Sequence, residues 1–253
     1  MADPVLLSDC KVYFGGYDLT GSLRQVEMTA AKAELGDGRF GDTAEVYFPG
    51  LQQVNCSGTG LFSSSAIASG EPDPAIFAAL NTYAAGLPVV MAPPYATAAS
   101  AGASGNIAYM VAGGPFAYDA MSGSHGELLG YTFSTKPGSG YRLYRQTIVY
   151  PKTAISATGN GSAFQLGTLD TGETLVASLH VFAASSASYV IKIQSDDNSG
   201  FSSATDRVTF ATVTDITSEV KKLDGPVATD DYWRVNITRT SGDITLAVTL
   251  SIT

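Results

Sequence analysis

Charge is what this sequence has least of. Only 15% of its 253 residues are Asp, Glu, Lys or Arg, against roughly 25% in an average soluble domain. Two explanations fit. Either much of the surface is covered by other subunits, or it is an ordinary Ser/Thr-rich β surface. The bases that are present form no stripe. Residues 1–152 hold 12 acids and 8 bases, residues 153–253 hold 11 acids and 6 bases, and the net charge is -9. Tight or sequence-specific nucleic-acid binding is therefore not expected. An acidic surface close to DNA would instead repel it.

Residues that carry chemistry are also scarce. Cys10 and Cys56 are the only cysteines and have no CxxC spacing, so neither a disulfide framework nor a zinc site is expected. Both read as small core residues. The two histidines differ in setting: His125 lies in a Gly/Ser loop and His180 between Leu179 and Val181 in a strand-like run. No serine sits in a GxSxG context, and no glycine-rich loop ends in Lys-Ser/Thr. We therefore expect no catalytic residue, no cofactor and no enzyme. Ser195–Gly200 is rich in Asp and Asn, but Arg207 stands where an EF-hand loop needs Glu, so it reads as a hairpin turn and no metal site is expected. Apolar runs of about 18 residues, the length of a membrane-spanning helix, do not occur. The first residues lack the layout of a secretory signal. We expect no membrane insertion and a cytoplasmic site of synthesis.

What is abundant is Val, Ile, Thr and Tyr in short runs bounded by Gly, Asp, Asn and Ser, the mark of β-strands. Such runs fall at 11–16, 23–30, 44–48, 106–111, 128–134, 141–149, 174–183, 189–194, 207–211, 232–239 and 244–252. Their spacing favours sandwiches or barrels over βαβ units. One segment reads as helix. Asp73-Pro74 supplies an N-cap and a first-turn proline; Ile76, Phe77, Leu80 and Tyr83 follow at helical spacing, and Gly86 with Pro88 closes it. Residues 96–105 are almost all Ala, Gly and Ser and read as an exposed loop. A linker-like turn near 151–161 suggests one domain over 1–152 and a second over 153–253. In the stretch around the single tryptophan, Trp233 alternates with Tyr232 and Arg234, which assigns Trp233 to the apolar face.

The run Lys11–Thr20, with its Asp18-Leu19-Thr20 turn, resembles the opening of tail tube proteins of long-tailed bacteriophages. So do the tripeptide Phe40-Gly41-Asp42, the turn Pro49-Gly50-Leu51 and the segment Ser57-Gly58-Thr59-Gly60 that follows. The tripeptide departs from the pattern in having Asp37-Gly38-Arg39 before it. The resemblance spans residues 9–150 and implies a mainly β fold: a tail-tube-like β-sandwich or barrel with one short helix. Residues 153–253 look like an added antiparallel β-sandwich of the kind carried on phage structural proteins, projecting outward. The resemblance further implies a virion protein assembled in the bacterial host cytoplasm. Its partners would be itself, in stacked hexameric rings, and other phage tail proteins, with DNA passing through the tube without specific binding. The loop at 96–105, with Ala96, Ala99, Gly102 and Gly105, is then expected to reach the next ring. Three other readings stay open. One is a capsid decoration protein. Another is a glycan-binding virion module stacking sugars on Tyr232 or Trp233, which requires one of them to be exposed. The third is a hydrolase built around His125 or His180.

Overall fold

The computed structural model describes residues 10–37, 44, 46–62, 72–82, 86–93, 101–227 and 229–253. The strands are β1 (Lys11–Phe14), β2 (Tyr17–Asp18), β3 (Leu23–Asp37), β4 (Val46–Leu61), β5 (Leu87–Ala92), β6 (Ile107–Ser122), β7 (Gly130–Pro137) and β8 (Tyr144–Ile155). They continue as β9 (Gly159–Asn160), β10 (Phe164–Gln165), β11 (Thr174–Asp196), β12 (Thr205–Thr209), β13 (Thr217–Asp224) and β14 (Tyr232–Ile252). The one helix among the described residues, α1, spans Pro72–Thr82. The chain is mainly β, as expected, and the strand pairings among the described residues are all antiparallel.

Two long strands build the C-terminal half. β11 and β14 pair from Leu175↔Ile252 to Asp196↔Tyr232, with register shifts between Val181 and Tyr189. The runs at 174–183 and 189–194 are therefore one bent strand, and so are 232–239 and 244–252. Beyond the bend the same two strands meet different neighbours. At one end β11 takes β13 and β14 takes β8; at the other β11 takes β12 while β14 takes β9 and β10. Between these layers lies a core that includes Leu175, Ile191, Trp233, Val235, Leu246 and Leu250, all fully buried.

β6 performs the same bend in the N-terminal half. Its first part, Ile107–Gly113, lies between β5 and β8. Its second part leaves them and pairs only with β7, which leads on to β4 and then β3. A second core, with Val12, Phe14, Leu19, Val89, Val111 and Phe133, fills the space between. Helix α1 adds Ile76 and Ala79 to it.

A third cluster joins the halves. It takes Tyr13, Val90 and Met110 from the first half and Val176 and Ala247 from the second. The 152/153 division falls inside β8. Beside the third cluster, the buried Gln146 Nε2 donates to Val176 O at 3.1 Å, while its Oε1 accepts from Ser178 and Thr249. Buried polar groups satisfied this way fix the register of the three strands they link.

Candidate assembly surface

The second part of β6 with β7, β4 and β3 forms a four-stranded sheet whose two faces differ. Strand alternation turns successive side chains to opposite sides. One row runs Tyr118↔Phe133, then Gly58↔Val26; the next runs Asp119↔Thr132, Thr59↔Gln25. The first kind faces the core with Tyr131 and Cys56. The second kind, together with Ala117, Ser134, Ser57 and Glu27, lines an open groove on the outer side. That face is a carpet of hydroxyls with an exposed carboxylate near each edge, Asp119 on β6 and Glu27 on β3. Lys136 stands at one end, its ammonium 5.9 Å from the Phe116 ring centre.

Close packing explains the glycines of Ser57–Gly60. A Cβ on Gly58 would lie 2.6 Å from the Phe133 ring, and one on Gly60 would lie 2.6 Å from the Tyr131 ring and 2.5 Å from Ser22 O. The two aromatic rings of β7 lie over the bare backbone of β4, and any side chain there would displace them.

Each edge of this sheet ends on an unpaired strand. Among the described residues β3 pairs only with β4, and past Gly113 β6 pairs only with β7. Both edges carry register shifts, at Leu23/Gln25 and Lys32/Glu34 on β3 and at Pro115/Ala117 and Asp119/Ser122 on β6. Irregularities of this kind restrict an open edge to a fitting partner. Direction is equally constrained. With four alternating strands, β3 and β6 run opposite ways, so the β3 edge of one copy meets the β6 edge of another antiparallel.

The family-motif residues divide. Asp18-Leu19-Thr20 does form a turn: Asp18 Oδ1 accepts from Thr20 N at 3.0 Å, and Thr20 Oγ1 accepts from Val12 N at 3.1 Å. Lys152 Nζ donates to Asp18 Oδ2 at 2.7 Å, tying β8 to this turn. Burial pushes the Asp18 carboxyl up, but the bonds from Lys152 and Thr20 outweigh it and hold the group below the usual carboxylate range. Phe40, Gly41 and Asp42 lie outside the described residues. Pro49-Gly50-Leu51 is not a turn. It lies inside β4, Pro49 pairing with Glu34, and the register shift between Lys32 and Glu34 absorbs the irregularity. Proline in an edge ribbon loses no ladder bond when its nitrogen faces outward, which is how a turn-like dipeptide is carried within a strand.

Within the loop at 96–105, Ala96 and Ala99 lie outside the described residues. The described part, 101–105, is not exposed throughout. Ala101 and Gly102 are buried, Gly102 has φ +80, and a Cβ there would approach Lys11 Cγ to 2.9 Å. Gly105 N donates to Ile148 O at 2.8 Å, which ties this end of the loop to β8.

Comparison with known proteins gives distant structural likenesses. No family model matches the chain, and no curated protein matches its sequence. Among solved structures, the chain is similar to the sheath/tube terminator of an extracellular contractile injection system, PVC, in its extended state. The identity there is 11% and the TM-score 0.43, covering 58% of this chain and 99% of that one. The sheath-tube complex of the same kind of system gives 11%, 0.42, 57% and 93%. The tube-terminating cap of the anti-feeding prophage gives 12%, 0.40, 58% and 93%.

The other candidate residues lie apart from this sheet face. Trp233 is 0% exposed and its indole Nε1 donates to Gly167 O at 2.8 Å, so no sugar reaches its ring; Tyr232 beside it is half-buried. Ser195–Gly200 spans the end of β11 and the start of the turn toward β12, and Asp196 spends its carboxylate on Asn198 N and Ser203 N. His125 is exposed in the β6–β7 turn. His180 is fully buried, with Nδ1 2.6 Å from Gly15 O. Cys10 and Cys56 are both unbridged, and burial pushes the Cys56 thiol up to about 12. The two open edges escaped sequence reading because they depend on which strands pair, and no local pattern encodes that.

Proposed function

We propose that the chain is a structural, non-enzymatic subunit of a phage tail tube, assembling side by side into rings and ring upon ring into a conduit for DNA. One observation carries this reading. The four-stranded sheet has one face packed on the core, a polar opposite face and two unpaired edges of opposite direction. An open sheet edge is a template for another strand. Joining β3 of each copy to β6 of the next makes a head-to-tail contact, which closes into a ring when the rotation per copy allows it. Closure removes every open edge of this sheet and leaves an unbroken antiparallel barrel.

The polar face then lines the bore. Its hydroxyl rows offer DNA no cluster of cations, and Asp119 and Glu27 repel phosphate. A genome moving through such a bore meets no specific site. The sequence resemblance over residues 9–150 points the same way, and the six-membered ring and the virion location come from that resemblance.

Negative-stain electron microscopy across a concentration series tests the proposal. Rings or tubes with a central hole are expected. A chain that stays monomeric at every concentration, and also when offered isolated tail tips as seeds, overturns the reading in favour of a decoration role.

A further inference from the structure

The C-terminal half carries a second polar sheet face, built differently from the groove of the N-terminal sheet. Strands β12, β11 and β14 lie side by side there, with the short β9 and β10 beyond β14. Alternation sends Ile191, Ile193, Trp233, Val235 and Ile237 into the core. The residues between them turn outward: Lys192, Gln194, Tyr232, Arg234 and Asn236, all half-buried, with the exposed Asp206 beside Gln194.

These outward groups are locked to one another. Arg234 Nε and Nη2 donate to Gln194 Oε1 at 2.9 and 2.8 Å. Gln194 Nε2 donates to Asp206 Oδ1 at 2.7 Å, and Lys192 Nζ donates to Asp206 Oδ2 at 2.6 Å. This chain of bonds crosses all of β14, β11 and β12. Next to it, Asn236 Nδ2 donates to Asn160 Oδ1 at 2.7 Å. The central carbon of the Arg234 guanidinium lies 4.2 Å from the centre of the Phe201 ring. That ring is buried and sits on a backbone with φ +51, a conformation bulky residues rarely adopt. Bonding capacity is left over, because Arg234 Nη1, Asn236 Oδ1 and Asn160 Nδ2 have no partner among the described residues. The face therefore presents planar amide and guanidinium edges, held in one orientation on a rigid sheet, with donors and acceptors to spare.

What such a face binds follows from what it lacks. Among the described residues, the large hydrophobic side chains with substantial exposure all lie at or before Leu129. A protein partner is held by apolar and aromatic anchors at the centre of its interface, and this face offers only the half-buried Tyr232. A polyanion is no better suited. Lys192 and Arg234 are balanced by Asp206 and by Asp196, which stands opposite Tyr232, so no excess of positive charge attracts one. A neutral, hydroxyl-rich ligand is the class that remains. Neighbouring hydroxyls of a sugar ring both donate and accept, which matches amide and guanidinium edges, and a tyrosine ring offers an apolar body to the C–H face of the sugar. Side chains already ordered lose little freedom on binding.

We propose that the outer face of β12, β11 and β14 binds a neutral polysaccharide, Gln194, Arg234 and Asn236 bonding its hydroxyls and Tyr232 lying against a sugar ring. Trp233 takes no part. The site uses the C-terminal half alone and does not rest on the ring reading.

Calorimetric titration of the full chain with hexaoses of glucose, mannose, galactose and N-acetylglucosamine tests this. At least one of these is expected to bind. Gln194→Ala and Asn236→Ala are each expected to weaken that binding about tenfold, with thermal melts close to the native one, while Leu51→Ser binds as the native chain does. Preference for the N-acetylglucosamine hexaose supports the site as one for a cell-wall glycan, and preference for a plain hexose chain as one for an exopolysaccharide. No binding of any of these hexaoses at about 1 mM overturns the proposal, and so does binding that survives both substitutions. Altered ring or tube formation in the two alanine variants, with no sugar bound by the native chain, assigns the face to a protein contact instead. Sugar binding by a chain that never forms rings retains this site and rejects the ring.

Discussion

The two long-stranded halves of the molecule are finished to different degrees. In the C-terminal half, β11 has a neighbour on both sides along most of its length, as does β14, and large side chains such as Trp233 and Ile191 are wholly buried. In the N-terminal sheet β3 and β4 run 15 and 16 residues, yet among the described residues β3 has one neighbour and the outer half of the β3–β4 ribbon buries almost nothing. Since backbone hydrogen bonding and burial together offset the entropy of ordering a chain, the first region carries the larger share of the fold's stability. On the proposed reading the second finds its missing neighbours in other copies. Stability and assembly would then rest on different strands, and substitutions can separate them.

The largest effect is expected where the molecule is finished. Trp233→Ala empties a site with no solvent access and leaves Gly167 O without its donor. Large-to-small changes of this kind cost about 3–5 kcal/mol. Chemical denaturation should show the loss in the isolated chain. A cost near that of a surface change would mean the C-terminal core is not what holds the fold.

The junction between the regions is sensitive to acid. His180 on β11 donates from Nδ1 to Gly15 O, its Nε2 has no partner among the described residues, and Tyr13 and Phe182 lie against the ring. Nearby, Lys152 lies over Phe182 and is paired with Asp18. Burial pushes the imidazole down to about 4 from its ordinary 6.5, the bond to Gly15 opposing that in part. The unfolded chain therefore binds the proton first. Stability from the neutral ring is complete above about 6.5, falls as pH drops through that value, and is lost by about 4, a change of about 3 kcal/mol. Melting temperature followed from pH 7 to 4 should decline more steeply in the native protein than in His180→Gln. Parallel curves would show that the ring is protonated in the fold. Asp18, Asp206 and Asp230 are all held below the usual carboxylate range, so their contribution falls only from about pH 5 downward and leaves the upper part of this window to His180.

Within the unfinished sheet the inner face still behaves as core. Gly58→Ala sets a methyl 2.6 Å from the Phe133 ring, and overpacking of this sort costs about 1–3 kcal/mol. The effect should appear in the monomer's stability and not only in assembly. If Gly58→Ala is neutral, the β7 rings move freely and the sheet is looser than its packing indicates.

These contrasts also mark what local sequence encodes. Alternation around Trp233 was enough to place it inward, and Asp73-Pro74 with Ile76 was enough to find α1, whose Asp73 accepts from Tyr118 OH at 2.6 Å. The Asp18 turn was legible because its bonds are local. The bends in β11 and β14 were not, because a bulge separates two runs that sequence reads as two strands. β5 was missed because Leu87-Pro88-Val89-Val90-Met91-Ala92 is short, continuously apolar and starts beside a proline, with no alternation to reveal it. Pro49-Gly50 misled for the opposite reason, since a strong turn signal is overridden when a long ribbon carries it as an irregularity. The candidate surface is hardest to read of all. Ser57 and Thr132 look like any half-exposed strand residues until pairing sets them in one row.

The smallest effect sharpens the comparison most. Leu51→Ser changes a side chain that is 87% exposed, touches no core cluster and lies on a ribbon with one neighbour per strand. Surface substitutions of this kind stay within about 0.5 kcal/mol, so the isolated chain's denaturation midpoint should not move. A ribbon that contributes to folding would shift that midpoint, and the division between a finished half and an unfinished sheet would fail. An unmoved midpoint combined with a changed assembly state would mean that these residues are ordered by the chain but stabilised only by its neighbours. An exposed leucine on a two-stranded ribbon has no other source of burial.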